Sequence, residues 1–291
     1  DYCQCEACKK SDADDGGPTG TLIQFVNKVA AQFPDKVITT LAYQYSRKPP
    51  LHTKPSANVM VTLCTIELNR SKPIEPDPGS ASFKNDIIGW SKICNNIMIW
   101  DYEVQFTNYL CPFPLFHTLQ PNLQFFTKYG VTAHFQQCNA VHGVEFAELK
   151  TYLLSKLLWN PDADANAIIN NFMKGYYGKA APYIRQYFDL LHQEAADSKQ
   201  GLDIYGTPVW NANTFLSAKN IARYYQLFDQ AEAAVKDNPA ILERVKIDRL
   251  CVQYADMEFG NLIVAASTNK IDMIVSTLML TDERKQKIDF S

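Results

Sequence analysis

The segment NIMIWDYE, residues 96–103, places Asp101 between Trp100 and Tyr102. Carboxylates among aromatic rings suit glycoside chemistry. One acid protonates the leaving oxygen, a second carboxylate attacks or activates water, and negative charge steadies the oxocarbenium-like transition state. Asp101 is the first candidate for such a catalytic role and Glu67, just after VMVTLCTI, the second. Trp100, Tyr102, Tyr43, Tyr45, Gln136, Asn139 and Glu145 are the candidates for substrate contact. Aromatic faces accept the apolar faces of sugar rings, and amides and carboxylates accept or donate to hydroxyl groups. Plainer uses compete with these. A strand-end carboxylate also caps a loop or pairs with arginine, and Glu145, ahead of a helix, suits the positive end of the helix dipole.

The chain opens DYCQCEACKK, with Cys3, Cys5 and Cys8 inside six positions. This is not the two-pair spacing of a zinc ribbon, and a structural zinc site takes four ligands. Three plain thiols, a disulfide between two of them, and a metal site all fit. The segment reads as a loop that the thiols stabilise, and neither a cofactor nor a metal is expected. Cys64, Cys94 and Cys251 stand in apolar runs and read as buried thiols.

Positioning these residues calls for strands and crossovers. Residues 20–33 repeat apolar positions at helical spacing, with Thr19 or Thr21 as N-cap and Pro34 as the stop. Strands follow at 37–45, 59–66, 96–102 and 131–137, separated by a helix at 80–95 and by one that residues 121–130 end on Gly130, and followed by one at 144–159. Alternating strands and helices imply a parallel sheet, and ligands of such sheets bind at the C-terminal strand ends. That rule selects the candidates above. Four strands in 160 residues amount to half of an eightfold barrel, which takes roughly 250 residues. From Pro161 onward the sequence is amphipathic and broken at Gly178, Gly201, Gly206, Pro208 and Pro239, without a strand pattern. The expected fold class is therefore α/β plus all-α: residues 1–160 as half of a (β/α)8-like barrel, then residues 161–291 as an all-helical domain.

Composition narrows the partners. The 291 residues are 46% hydrophobic and 20% charged, with a net charge of −3. No basic surface for nucleic acid is expected. No membrane insertion is expected either, since the apolar stretch 261–280 is interrupted by Asn269, Lys270 and Asp272. A chain that begins on Asp1 reads as a mature or trimmed product.

Together, YCQCEACK, TLIQFVNKVA, AYQYSRKPP, the IWDY strand end, and GVEFAELKTYLLSKLLWNPDAD followed by GYYGKAAPYI resemble the family called domain of unknown function 4838. The resemblance covers roughly residues 1 to 195. It implies a Bacteroidetes source, kinship with α-glucuronidases and other barrel glycosidases, carbohydrate processing, and a periplasmic or secreted location. It also implies an upstream β-rich domain and first barrel half. One position departs: where the family pattern reads Phe-Glu-Gln-Gly after the fourth strand, this chain has Phe135, Gln136, Gln137 and Cys138. An amide neither takes a proton near neutral pH nor carries charge.

The reading that follows is a glycoside hydrolase-like protein acting on a complex glycan, as a fragment of a longer chain. A catalytically disabled carbohydrate-binding relative and a structural assembly module are the alternatives. A half barrel leaves two open edges, so a missing N-terminal segment or a homodimer is the expected partner besides carbohydrate.

Overall fold

The computed structural model describes residues 2–138 and 143–256. Asn139 and the apolar stretch 261–280 lie outside the described residues. The chain divides into two compact units, one of Asp1–Glu103 with Thr118–Gln137 and one of Val104–His117 with Cys138–Ser291.

The first unit is built on four parallel strands: β1 (Ile38–Ala42), β2 (Val59–Cys64), β3 (Ile97–Tyr102) and β4 (Val131–Gln137). They lie side by side in chain order, β1-β2-β3-β4. The alternation of strand and helix in the sequence thus gives the parallel α/β sheet expected of it. Side chains of a strand alternate between faces, and the register fixes which share one. Val59, Val61 and Leu63 of β2 lie on the same face as Ile97 and Ile99 of β3, and all five are almost wholly buried. The opposite face carries Leu41, Met60, Met98, Trp100 and Phe135. There Leu41 and Phe135 remain 45% and 42% exposed.

Helices α1 (Glu6–Asp14) and α2 (Pro18–Ala30) precede the sheet. The opening segment is thus not the loop expected. Cys5 stands at the N-cap of α1, Glu6 at the first helical position suits the helix dipole, and Ala7 and the following lysines favour helix. α2 starts at Pro18, with Gly17 as its N-cap, rather than at Thr19 or Thr21. Proline at the first helical position gives up an N–H that has no partner there. Thr21 serves instead to tie the two helices, its hydroxyl donating to Asp12 Oδ1 at 2.8 Å. Asp15, buried at the junction, accepts from the amide of His52 at 2.7 Å and from the Thr53 hydroxyl. A Cβ on Gly20 would stand 2.2 Å from Asp15 Oδ2, so the contact requires glycine.

α3 (Ala81–Ser91) connects β2 to β3, and α4 (Phe116–Lys128) connects β3 to β4. α4 runs through Pro121. Leu119, Leu123 and Phe126 are buried at helical spacing on either side of the proline, and their packing outweighs one missing backbone bond. Gly130, at φ +75°, turns the chain into β4.

Among the described residues of the second unit the longer elements are all helical: α5 (Ala147–Trp159), α6 (Ala165–Tyr177), α7 (Ala181–Ser198), α8 (Ala218–Ala234) and α9 (Pro239–Asp256). Asp164 caps α6 and Ser217 caps α8 through their side chains. Gly178 ends α6 at φ +51°, and Pro239 opens α9. Tyr177, Tyr187, Tyr224 and Phe228 fill this core. Among the described residues no helix is long and apolar enough to cross a membrane.

Candidate functional site at the strand ends

The C-terminal ends of β2, β3 and β4 bring Thr65, Asp101 and Gln136 into one row. Asp101 pairs in register with Gln136, and Thr65 donates to Asp101 Oδ1 at 2.5 Å. Two further donors meet the same oxygen, Arg70 Nη1 at 3.1 Å and the Tyr102 amide at 2.9 Å. The Asp101 and Arg70 side chains are each 5% exposed. The carboxylate is thus held by a buried ion pair, the plainer of the uses open to it. Among the described residues all three donors fall on Oδ1 and none on Oδ2.

Trp100 and Tyr102 take the other face, because they flank Asp101 on a strand of period two. Their rings stack with centroids 5.8 Å apart at 18°. Phe135 meets Trp100 edge-on at 5.0 Å, and the indole N–H donates to Gln137 Oε1 at 2.9 Å. Arg70 joins the two faces over the strand end, its guanidinium carbon lying 5.7 Å from the Tyr102 ring centre. Burial, with Cys64 and Tyr43 nearby, pushes the Tyr102 hydroxyl well above the usual phenol range. Burial also pushes the Cys64 thiol up to about 11. Burial lowers His134 on β4 below the usual imidazole value, and Asp101 opposes that shift. Gln136 Nε2 lies 3.4 Å from His134 Nδ1.

The other candidates scatter. Glu67 accepts from Arg47 Nη1 at 2.9 Å, and the same guanidinium donates to Asp86 Oδ2 at 2.7 Å and Ser82 Oγ at 2.7 Å. Burial raises the Asp86 carboxyl, and Arg47 counters it. Tyr43 is half-buried just past β1. Tyr45 is exposed, its ring 5.0 Å from that of Tyr2 at a tilt of 33°, beside the cysteine segment. Glu145 belongs to the second unit. It is buried and accepts from the Phe113 amide at 3.0 Å and the Tyr187 hydroxyl at 2.7 Å, so its oxygens serve packing there rather than the end of α5. Burial raises its carboxyl. Cys64, Cys94 and Cys251 are buried, as their apolar settings imply, and so is Cys111.

Sequence reading passed over Arg70 and Arg47. Both follow a strand end by a few residues in a chain with more acids than bases. An arginine in such a loop needs a carboxylate, and that was the available signal.

These elements define an α/β protein with a polar row and an aromatic stack at the strand ends. The profile of the family described as a domain of unknown function, DUF4838, matches residues 1–189, and the chain belongs to that family. A profile for bacterial extracellular solute-binding proteins, family 3, matches residues 239–291, of which the described part is α9. No curated protein and no solved structure matches the chain.

Proposed function

We propose that the chain is the sheet-bearing part of a glycoside hydrolase-like protein acting on a complex glycan, outside the cytoplasm. The observation that carries this reading is the Trp100–Tyr102 stack at the end of a central parallel strand, on the less covered face of the sheet. Trp100 is the half-buried ring of the pair and the one a sugar can reach, and Arg70, over the Tyr102 ring, links that face to the buried Asp101 carboxylate.

The sheet is read as half of a (β/α)8-type barrel, with a helical domain after it. Parallel strands in strict chain order support this. Right-handed crossovers that always step the same way place their helices on one side, and the other face then needs closure of the sheet to be covered. The strands that would close it come from a segment outside these residues or from a second copy.

A second reading, a binding-only relative, is favoured by Gln136. It faces Asp101 across the β3–β4 register and supplies an amide where a second carboxylate would do acid–base work. Glu67 is held by Arg47.

A glycan panel assayed for both binding and turnover separates these readings. Binding that falls about tenfold in Trp100→Ala supports the sugar platform. Turnover abolished by Asp101→Asn, in a variant that still binds, supports the hydrolase. Binding without turnover supports the second reading. No glycan binding at all, or binding unchanged by Trp100→Ala, rejects the platform and leaves an assembly module.

A further inference from the structure

The thiols of Cys3, Cys5 and Cys8 converge at the start of α1, their sulfurs all within 4.8 Å of one another. Cys5 is the N-cap and Cys8 the third helical residue, so the two stand three apart on one face of the helix. Cys3 returns its sulfur to the same point from the residues before the helix. Cys3 and Cys5 are exposed and Cys8 is half-buried. Cys3 and Cys8 also line a cleft of about 260 Å³ together with Tyr2, Asp12, Phe25 and Tyr45.

We propose that Cys3, Cys5 and Cys8 form a trithiolate site for one thiophilic d10 cation, Zn2+ or Cu+. Three sulfurs at about 2.3 Å from a tetrahedral ion stand about 3.8 Å apart. The segment therefore has to close by at most about 1 Å to hold one. Residues 2–4 lie outside helix and are exposed, so they can make that adjustment without disturbing a core. A disulfide would use two of the sulfurs and leave the third without a role. An ion uses all three. Soft thiolates select Cu+ and Zn2+ over the harder cations that prefer oxygen. The complex carries net negative charge, two units for Cu+ with three thiolates and one for Zn2+. The N-terminal end of α1 favours that sign. Zn2+ keeps a fourth position for water or an outside ligand, while Cu+ is satisfied by three sulfurs. This inference stands apart from the proposed glycan site.

The test uses the full chain, reduced and kept free of oxygen. Zn2+ and Cu+ are titrated separately against chromophoric chelators, and Co2+ serves as a spectroscopic stand-in for Zn2+. The expected result is one equivalent of Zn2+ or of Cu+ per chain. Sulfur-to-cobalt charge-transfer bands should accompany bound Co2+. Stoichiometric binding should be lost in the Cys3→Ser, Cys5→Ser, Cys8→Ser triple variant, whose thermal melt should match that of the parent because the site is exposed. Cys94→Ser should bind as the parent does. The proposal is overturned if neither ion binds more tightly to the parent than to the triple variant. Bound Co2+ without thiolate bands overturns Zn2+ as the ion, and two of the three cysteines found joined by peptide mapping, in a chain that takes up no metal when reduced, overturn the site altogether.

Discussion

At Asp101, Thr65, Arg70 and the Tyr102 amide all donate to one carboxylate oxygen. Arg70 is therefore a positioning residue for whatever Asp101 does, and the pair is buried enough for its loss to be costly. Removing one partner of a buried ion pair leaves an uncompensated charge, at a cost of about 3–5 kcal/mol. Arg70→Met should destabilise the fold by about that amount in denaturant titration. The double variant Arg70→Met, Asp101→Leu should be less destabilised than Arg70→Met alone. A single variant within 1 kcal/mol of the parent would show that the pair contributes nothing. The residue types of this site were legible in the sequence, but their arrangement was less so. Trp100, Asp101 and Tyr102 look like one cluster when read as neighbours. The period of a strand puts the carboxylate on one face and the rings on the other, and only Arg70, reached from the loop after β2, bridges them. That loop has no period to follow, so the signal for the bridge was only that an arginine there needs a carboxylate.

Among the elements, the hydrophobic repeats located β1 to β4 and the helices between them within a few residues, because the central strands are buried and must be apolar. The differences arose where a local rule met a competing one. Pro121 lies inside α4, since the leucine and phenylalanine packing on both sides outweighs the break. α1 buries no residue, so it carries no apolar repeat by which the sequence could show it. In the second unit α6 and α9 are joined by a buried contact, Tyr177 Oη donating to Asp248 Oδ2 at 2.5 Å. Burial pushes the Asp248 carboxyl up to about 7, against the Tyr177 hydrogen bond that lowers it. Unfolded, an aspartate titrates near 3.9. Between those values the folded chain binds the proton and the unfolded chain does not, so stability falls as pH rises. This contribution is fully present below about pH 4 and is lost as pH passes through about 7. Thermal or denaturant unfolding of the chain should show lower stability at pH 8 than at pH 5. Asp248→Asn, which keeps an acceptor for Tyr177 and cannot ionise, should flatten that slope. An unchanged slope would assign the pH dependence to other groups.

At the scale of the whole molecule, the question is what the sheet leaves open. β1 and β4 are the edges of the sheet, and Leu41 and Phe135 present apolar side chains on its less covered face. Natural proteins rarely leave open strand edges beside exposed apolar side chains, because both invite association. The sequence could reveal the parallel, stepwise order, since crossover length and strand patterning are local properties. It could not reveal the closing strands, because closure depends on what meets the edges. If the barrel reading holds, the chain of 291 residues should self-associate and bind a dye that reports exposed apolar surface. Leu41→Lys with Phe135→Lys should then suppress both effects. At sites open to solvent these substitutions should change unfolding free energy by only about 0.5 kcal/mol. The same pair introduced where the sheet is closed, by a longer chain or a second copy, would put charge into an apolar interior and cost several times as much. Sedimentation with denaturant titration distinguishes the cases. A dye-silent monomer in which both lysines are neutral would mean that the sheet needs no closure, and the half-barrel reading would be abandoned.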